Sequence, residues 1–153
     1  VNINLTGNTD LAWLAGFWDA DGCIGITKRQ TYLVPYVSCS NTNKTIIDNV
    51  MRILDAAEIK YLLEYSDRGN RINAAPSWAI RMEGRPRVTS LLNLIEPYLV
   101  GKNEQAKLVI NWCKGKATTH KVKGGSRETR YPEGYWETKD TLTELNARGR
   151  VRG

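Results

Sequence analysis

Two carboxylates, Asp19 and Asp21, stand where the apolar stretch LAWLAGFWDADGCIGI, residues 11–26, gives out, and Gly22 follows them directly. Leu11, Leu14 and Trp18 recur at helical spacing, so the stretch begins as a helix with Thr9 or Asp10 as its cap. The acids then fall at the helix C-terminus, where the dipole already places partial negative charge. Two anions there repel one another unless a cation joins them. Helix positions two apart point in different directions, so one acid suffices as a metal ligand and the other can serve as a structural hydrogen-bond acceptor. Gly16 lies inside the same helix at a cost of about 1 kcal/mol relative to alanine, and close approach of another backbone would justify it. Ala12, Gly16 and Asp19 share a face whose first two side chains are nearly absent. Taken alone, D-x-D-G also describes an ordinary helix end followed by a turn. An EF-hand is excluded, because residues 23–26 are not the oxygen ligands that a calcium loop needs.

The elements that must hold these acids follow from the period of the apolar residues. After Gly22 the period changes to two: Ile24 and Ile26 alternate with Gly25, Thr27 and Arg29, as in a strand with one covered face. A second strand near 34–41 points Val37 and Cys39 inward and Tyr36, Ser38 and Ser40 outward, completing a hairpin. Ile46, Ile47, Val50, Ile53 and Leu54 predict a helix over about 45–57. A second hairpin runs over 59–68 and 72–82, joined at the turn signal DRGN, with Trp78, Ile80 and Met82 facing the core and Ser77 and Arg81 opposite. PRVTSLLNLIEPYL from Pro86 and NEQAKLVINWCK from Asn103 supply two more amphipathic helices. The fold class is therefore α+β, a four-stranded antiparallel sheet with helices packed on one face.

The chain has 153 residues, enough for one domain with a proper core. Its 41% hydrophobic and 25% charged residues fit a soluble globular protein, with no apolar run long enough to span a bilayer, no membrane partner and no visible secretory signal. Cys23, Cys39 and Cys113 are an odd count at unrelated spacings, as expected of reduced intracellular thiols, and the single His120 cannot complete a zinc site. Net charge is +6, of which residues 1–113 carry +1 and residues 114–153 carry +5. Residues 114–153 thus form a basic C-terminal extension, loop-like with a short helix in 138–149. Lys116, Lys121 and Lys123 in it suit a phosphate backbone, or are simply a solvated terminus.

The nine residues LAGFWDADG, Leu14–Gly22, resemble the signature of the LAGLIDADG homing endonucleases, with Phe17 and Trp18 replacing two aliphatic residues. The resemblance extends through the αββαββα order over roughly residues 10–114. It implies that signature helices of two domains pack along small residues, here Ala12, Ala15 and Gly16, and a single motif implies a homodimer. It makes Asp21 the divalent-metal ligand, assisted by the backbone carbonyl of Ala20, with Asp19 more structural. NTNKT, residues 41–45, resembles the segment whose polar side chain orients water near the metal, which points to Asn43; the same residue could instead cap the second helix. PYLVGKNEQAKL, residues 97–108, resembles the segment that sets a basic residue beside the scissile phosphate, which points to Lys102, otherwise a solvated charge. Where some relatives carry a further basic residue this chain has Ile47, so that part of the pocket is missing or supplied elsewhere, for instance by Lys44.

The activity implied is site-specific hydrolysis of both strands of double-stranded DNA by metal-activated water. Magnesium suits the hard oxygen donors, and Lys102 would stabilise developing negative charge. A two-stranded ribbon fits the major groove. The outward candidates are Thr27, Arg29 and Thr31 on the first strand; Tyr36, Ser38 and Ser40 on the second; Glu64, Ser66 and Arg68 on the third; and Asn73, Ser77 and Arg81 on the fourth. A symmetric dimer implies a near-palindromic site with about one helical turn of duplex per half. Two other readings stay open: a protein of the same fold that binds intron RNA or DNA without cleaving it, and a small basic structural protein such as a ribosomal component.

Overall fold

The computed structural model describes residues 7–67, 75–115, 118–121 and 127–148, with side chains described at 7–67, 75–115 and 131–147. Helix α1 spans Asn8–Asp21 and strand β1 spans Gly22–Arg29, with no linker between them. The helix starts earlier than the sequence predicts, with Gly7 as its N-cap and no side-chain cap. Asp10 lies instead in the first turn, where its carboxylate accepts from both terminal guanidinium nitrogens of Arg52 at 2.8 and 3.1 Å. Those hydrogen bonds hold Asp10 below its ordinary carboxylate value.

Strand β2, Tyr32–Asn41, pairs antiparallel with β1 from Gly22↔Cys39 to Arg29↔Tyr32. The connection is the two-residue turn Gln30–Thr31, with Gln30 at φ 46°. Thr31 is therefore a turn residue and not a residue of β1, because the pairing closes at Arg29. Helix α2, Lys44–Ala56, leads to β3, Leu62–Ser66, and β4, Ser77–Glu83. The sheet order is β1-β2-β4-β3, antiparallel throughout. Helix α3, Arg85–Ile95, a 3-10 turn over Glu96–Tyr98 and helix α4, Asn103–Lys114, complete the layer.

Alternation along the strands decides which face the helices cover. Ile24, Ile26, Val37, Cys39, Ile80 and Met82 are buried beneath Leu14 and Trp18 of α1, Ile47 and Val50 of α2, Leu91 and Leu92 of α3 and Val109 of α4. Each fully buried aliphatic side chain contributes about 1.5–3 kcal/mol through transfer from water. The opposite face carries Thr27, Arg29, Tyr36, Ser38, Ser40, Ser77, Arg81, Glu64 and Ser66, as the register requires.

The segment beyond Lys114 holds more packing than its polar composition suggests. It forms β5, Thr118–Lys121, paired with β6, Arg127–Arg130, and helix α5, Tyr135–Arg148. Tyr135 and Leu142 join the main core, the Tyr135 hydroxyl donates to the Trp112 carbonyl at 2.9 Å, and Asn146 Nδ2 donates to the Ile24 carbonyl at 3.1 Å. The Lys28 ammonium stands 5.7 Å above the Trp136 ring. Few apolar residues mark α5 in the sequence, since its anchors are aromatic contacts made by distant elements.

Gly22 is demanded by space rather than by dihedral angle: its φ is −92°, but a Cβ there would lie 2.3 Å from Trp18 Cδ1 and 2.6 Å from the Trp18 carbonyl oxygen. Gly22→Ala is expected to lower the unfolding free energy by about 1–3 kcal/mol, the usual cost of overpacking, as measured by urea titration.

Candidate functional site

The abrupt junction of α1 with β1 puts Asp19, Ala20 and Asp21 at one end of the sheet, and each residue meets a different environment. Asp19 is fully engaged. Its Oδ2 accepts from the Val100 amide and its Oδ1 from the Lys102 amide, both at 2.8 Å. The Lys102 ammonium donates in turn to the Asp19 carbonyl oxygen. The structural acceptor that the sequence leaves to one of the two acids is thus Asp19, and it draws the segment before α4 against the end of α1.

Asp21 is exposed, and its Oδ2 accepts from Asn41 Nδ2 at 2.9 Å. Among the described residues its other carboxylate oxygen has no partner, and no three His, Cys, Asp or Glu side chains gather as a self-contained metal centre. One carboxylate with a nearby backbone carbonyl is a set of hard oxygen donors, which suits a hard divalent cation that keeps several waters. Ala20, whose carbonyl the family resemblance nominates, is exposed next to Asp21 in the chain.

Asn43 is the N-cap of α2: its Oδ1 accepts from the Thr45 amide at 3.0 Å, and its own amide donates to Asn41 Oδ1 at 2.8 Å. Asn41, not Asn43, therefore touches Asp21. The signal for it lay in the hairpin register, which pairs Gly22 with Cys39 and so brings the end of β2 alongside the end of α1. Ile47 is fully buried in the core and Lys44 is ion-paired to Asp48, so neither presents a free group to this site. Burial pushes the thiol of Cys39 up to about 12, a backbone hydrogen bond at Ile80 partly offsets it, and the charge of Asp21 adds to the rise. Cys39 is a neutral core residue.

A cleft of about 590 Å³ opens beside the junction, lined by Asp19, Ala20, Cys23, Lys102, Gln105 and Asn146 among others. Gln105 lies within the 97–108 segment and Asn146 within the helix predicted over 138–149, but the sequence singles out neither as a site residue. Along α1, Ala12 and Gly16 are exposed, Trp13 is 38% exposed and stacked on Phe17 at 5.7 Å, and a Cβ on Gly16 would meet nothing within 4 Å. Ala15 departs from the predicted stripe: it is fully buried in the chain's own core, because it turns inward with Leu14 and Trp18.

On the open sheet face, Arg29, Ser40, Glu64 and Ser66 are exposed, and Thr27, Tyr36, Ser38, Ser77 and Arg81 are half-buried. Thr31 is exposed at the hairpin tip. Arg68, Asn73, Lys116 and Lys123 lie outside the described residues, as does the side chain of Lys121, whose backbone is in β5. Among the described residues, no helix is long and apolar enough to cross a membrane.

An α+β layer with a polar, arginine-bearing sheet face and an acid-terminated helix at one end defines the class. The chain belongs to the LAGLIDADG homing endonuclease family: the LAGLIDADG-like domain profile matches residues 8–93. The DNA endonuclease I-CvuI of Chlorella vulgaris is 33% identical over 113 residues, which is 72% of this chain and 68% of that protein. An uncharacterised protein of Methanocaldococcus jannaschii is 36% identical over 72 residues, 45% of this chain, and the chain spans only 27% of its length. A probable intron-encoded endonuclease of Debaryomyces hansenii is 31% identical over 121 residues, 67% of this chain and 18% of that protein.

Among solved structures, I-CvuI in complex with the I-CreI target in the presence of 2 mM Mg, with DNA not cleaved, has a TM-score of 0.61 at 23% identity over 93% of this chain and 85% of that one. I-CvuI with its own target in 2 mM Ca has a TM-score of 0.54 at 22% identity, over 89% of this chain and 96% of that one. At these identities the likeness establishes the fold.

Asp19→Ala would strip the exposed Val100 amide and the half-buried Lys102 amide of their acceptor, and only the second, which water replaces poorly, is expected to approach the cost of about 1–3 kcal/mol for an unsatisfied group. A lower urea midpoint is expected, together with faster hydrogen exchange at the Val100 and Lys102 amides and no matching change in α3.

Proposed function

We propose that this chain is a site-specific DNA endonuclease that acts as a homodimer and hydrolyses both strands of a near-palindromic duplex with a divalent metal, magnesium by preference. The observation that carries this reading is the exposed Asp21 carboxylate, steadied by Asn41 at the junction of α1 with the sheet face. When bound there, a divalent cation would supply an activated water and charge neutralisation at the phosphate. Asp21 and the Ala20 carbonyl are the donors that would hold it. Asn41 fixes the Asp21 carboxylate through one oxygen and leaves the other available.

Lys102, anchored by its own backbone to Asp19, brings an ammonium to the same end of α1, where it can stabilise charge developing on the phosphate. In the structure that ammonium rests on the Asp19 carbonyl, so engaging a phosphate requires it to swing away. The polar sheet face would lie in the major groove, with Thr27, Arg29, Tyr36, Ser38, Ser40, Ser77, Arg81, Glu64 and Ser66 facing base edges. Thr31 would touch the duplex from the hairpin tip. Arg68, Asn73, Lys116, Lys121 and Lys123 would add contacts of their own. Asn43 then acts through Asn41 and the start of α2, one step removed from the chemistry.

Dimerisation fits α1, which is apolar nearly all round yet exposes Ala12, Trp13 and Gly16 on the side away from its own core. A helix of that kind calls for a second covering surface. A second reading, the same fold binding DNA or intron RNA without cutting it, is favoured by Ile47, which occupies with a core aliphatic the place of a further basic group.

Asp21→Asn is expected to reduce magnesium-dependent cleavage of a selected target at least a hundredfold, about 2.7 kcal/mol at tenfold per 1.36 kcal/mol, while its binding to the same duplex in calcium stays within a few-fold. Undiminished cutting by the variant would remove Asp21 from the site, and wild-type protein that binds but never cuts would favour the second reading. A Cβ at Gly16 meets nothing within 4 Å in the folded chain, so Gly16→Leu is expected to keep the melting temperature of the subunit while sedimenting as a monomer where the wild type sediments as a dimer.

A further inference from the structure

One carboxylate on the open sheet face has no part in the site at the end of α1. Glu83, the last residue of β4, shares that face with Arg81 and sits opposite Tyr36 in the register. Its Oε1 accepts from Arg29 Nη2 at 2.5 Å and from Arg81 Nε at 2.8 Å, and Arg81 Nη2 lies 2.7 Å from the same oxygen. The Arg81 guanidinium is stacked over the Tyr36 ring at 5.2 Å, and that ring lies across Gly25, where a Cβ would approach it to 3.0 Å. Arginines from two strands thus converge on one carboxylate oxygen, a third strand supplies the ring beneath Arg81, and Gly25 leaves the floor bare for that ring. Beside it is a cleft of about 280 Å³ lined by Arg29, Arg81, Glu83 and Arg87 together with Leu62 and Glu64.

An acid on a surface that meets a polyanion opposes binding, and exposed ion pairs add little to fold stability, so its presence asks for another reason. Arginine has five donors in a planar fork. Arg81 commits two of them to Glu83 and Arg29 one, which leaves three on Arg81 and four on Arg29, enough for a free pair of N–H groups on each. That is the arrangement that reads O6 and N7 of guanine. The free side chains would sample many rotamers, and the shared carboxylate removes that entropy before any contact with DNA forms.

We infer that Glu83 is a positioning residue that holds Arg29 and Arg81 as one preorganised unit for reading guanines at fixed positions in each half of a DNA target. This assignment rests on the DNA-binding reading above. Burial pushes the Glu83 carboxyl up, but the hydrogen bonds and charges of Arg29 and Arg81 outweigh it and leave the group below its ordinary value. The unit therefore stays ionised above the usual carboxylate range and is lost only as pH falls through that lowered value.

The test is selection of bound duplexes from a half-site library by wild type, Arg29→Ala, Arg81→Ala, Glu83→Ala and Glu83→Gln, with a thermal melt of each. Wild type is expected to enrich guanine at positions that each arginine variant relaxes. Glu83→Ala should weaken the guanine preference at those same positions by about tenfold, within the discrimination of one arginine–guanine pair, and leave the other positions unchanged. Glu83→Gln, which keeps an acceptor, should retain most of the preference. In the protein without DNA, nitrogen relaxation of the Arg81 Nε–H should report a rigid group in wild type and a mobile one in Glu83→Ala, with melting temperatures close together. Unchanged guanine preference in Glu83→Ala overturns the assignment, as does loss of a cytosine preference instead, which would make Glu83 a direct base contact through its other oxygen. A wild type that selects no sequence sinks the DNA-binding reading and this assignment with it, whereas a selective wild type with an indifferent Glu83→Ala sinks this assignment alone.

Discussion

The carboxylate of Asp19 holds Lys102 to the end of α1. By accepting from the amides of Val100 and Lys102 it ties the α3–α4 connection to the helix that carries Asp21, two segments some eighty residues apart in the chain. A carboxylate near a helix C-terminus is electrostatically ill placed, and two backbone donors are what make the position tolerable. The same tie sets the stem of Lys102 so that its ammonium reaches the carbonyl of Asp19. Asp21, which has no such backbone donors, is left facing outward with Asn41 as its steadying contact. Two acids of one type, two positions apart, thus acquire opposite roles from their surroundings.

The sheet separates two kinds of work by alternation alone. On β1, β2 and β4 the inner residues are mostly apolar and buried, while the outer face is largely polar, with two arginines gathered on one acid. The second edge of the sheet, β3, remains exposed along its length, whereas at the first edge the Ile24 carbonyl of β1 takes the amide of Asn146. α5 is held there by an aromatic group in which Trp112, Tyr131 and Tyr135 have ring centroids 4.8–6.3 Å apart.

Much of this was legible from period and spacing. The change from helical repeat to alternation at Gly22 marks the junction of α1 and β1, and the inward positions of Val37, Cys39, Ile80 and Met82 follow from the two-residue repeat. The difference in fate between Asp19 and Asp21 was legible as a division of roles, although the donors to Asp19 come from a segment that local pattern cannot bring near. Asn43 illustrates the limit: its side chain satisfies the open end of α2, a strictly local demand, and the contact to Asp21 falls to Asn41 through strand register. Ala15 was drawn into a stripe of small residues by its type, but a shift of one position on a helix turns a side chain by 100°, enough to send it into the core. Glu83 was within reach, since it stands two residues beyond Arg81 on the same strand face, and its meaning appears only when β1 comes alongside. The docking of α5 was the least legible: a short helix is readable over 138–149, but its anchors depend on aromatic partners from α4 and the stretch before it.

The absence of any residue between α1 and β1 has a mechanical side. With Gly22 pressed against the indole of Trp18 and hydrogen-bonded to its carbonyl, the hinge that a loop would provide does not exist. Helix and strand behave as the two arms of a single lever. A tilt imposed on β1 by whatever lies against the outer face reaches Asp21 without slack, and a poorly matched surface would leave that carboxylate displaced even while it was held.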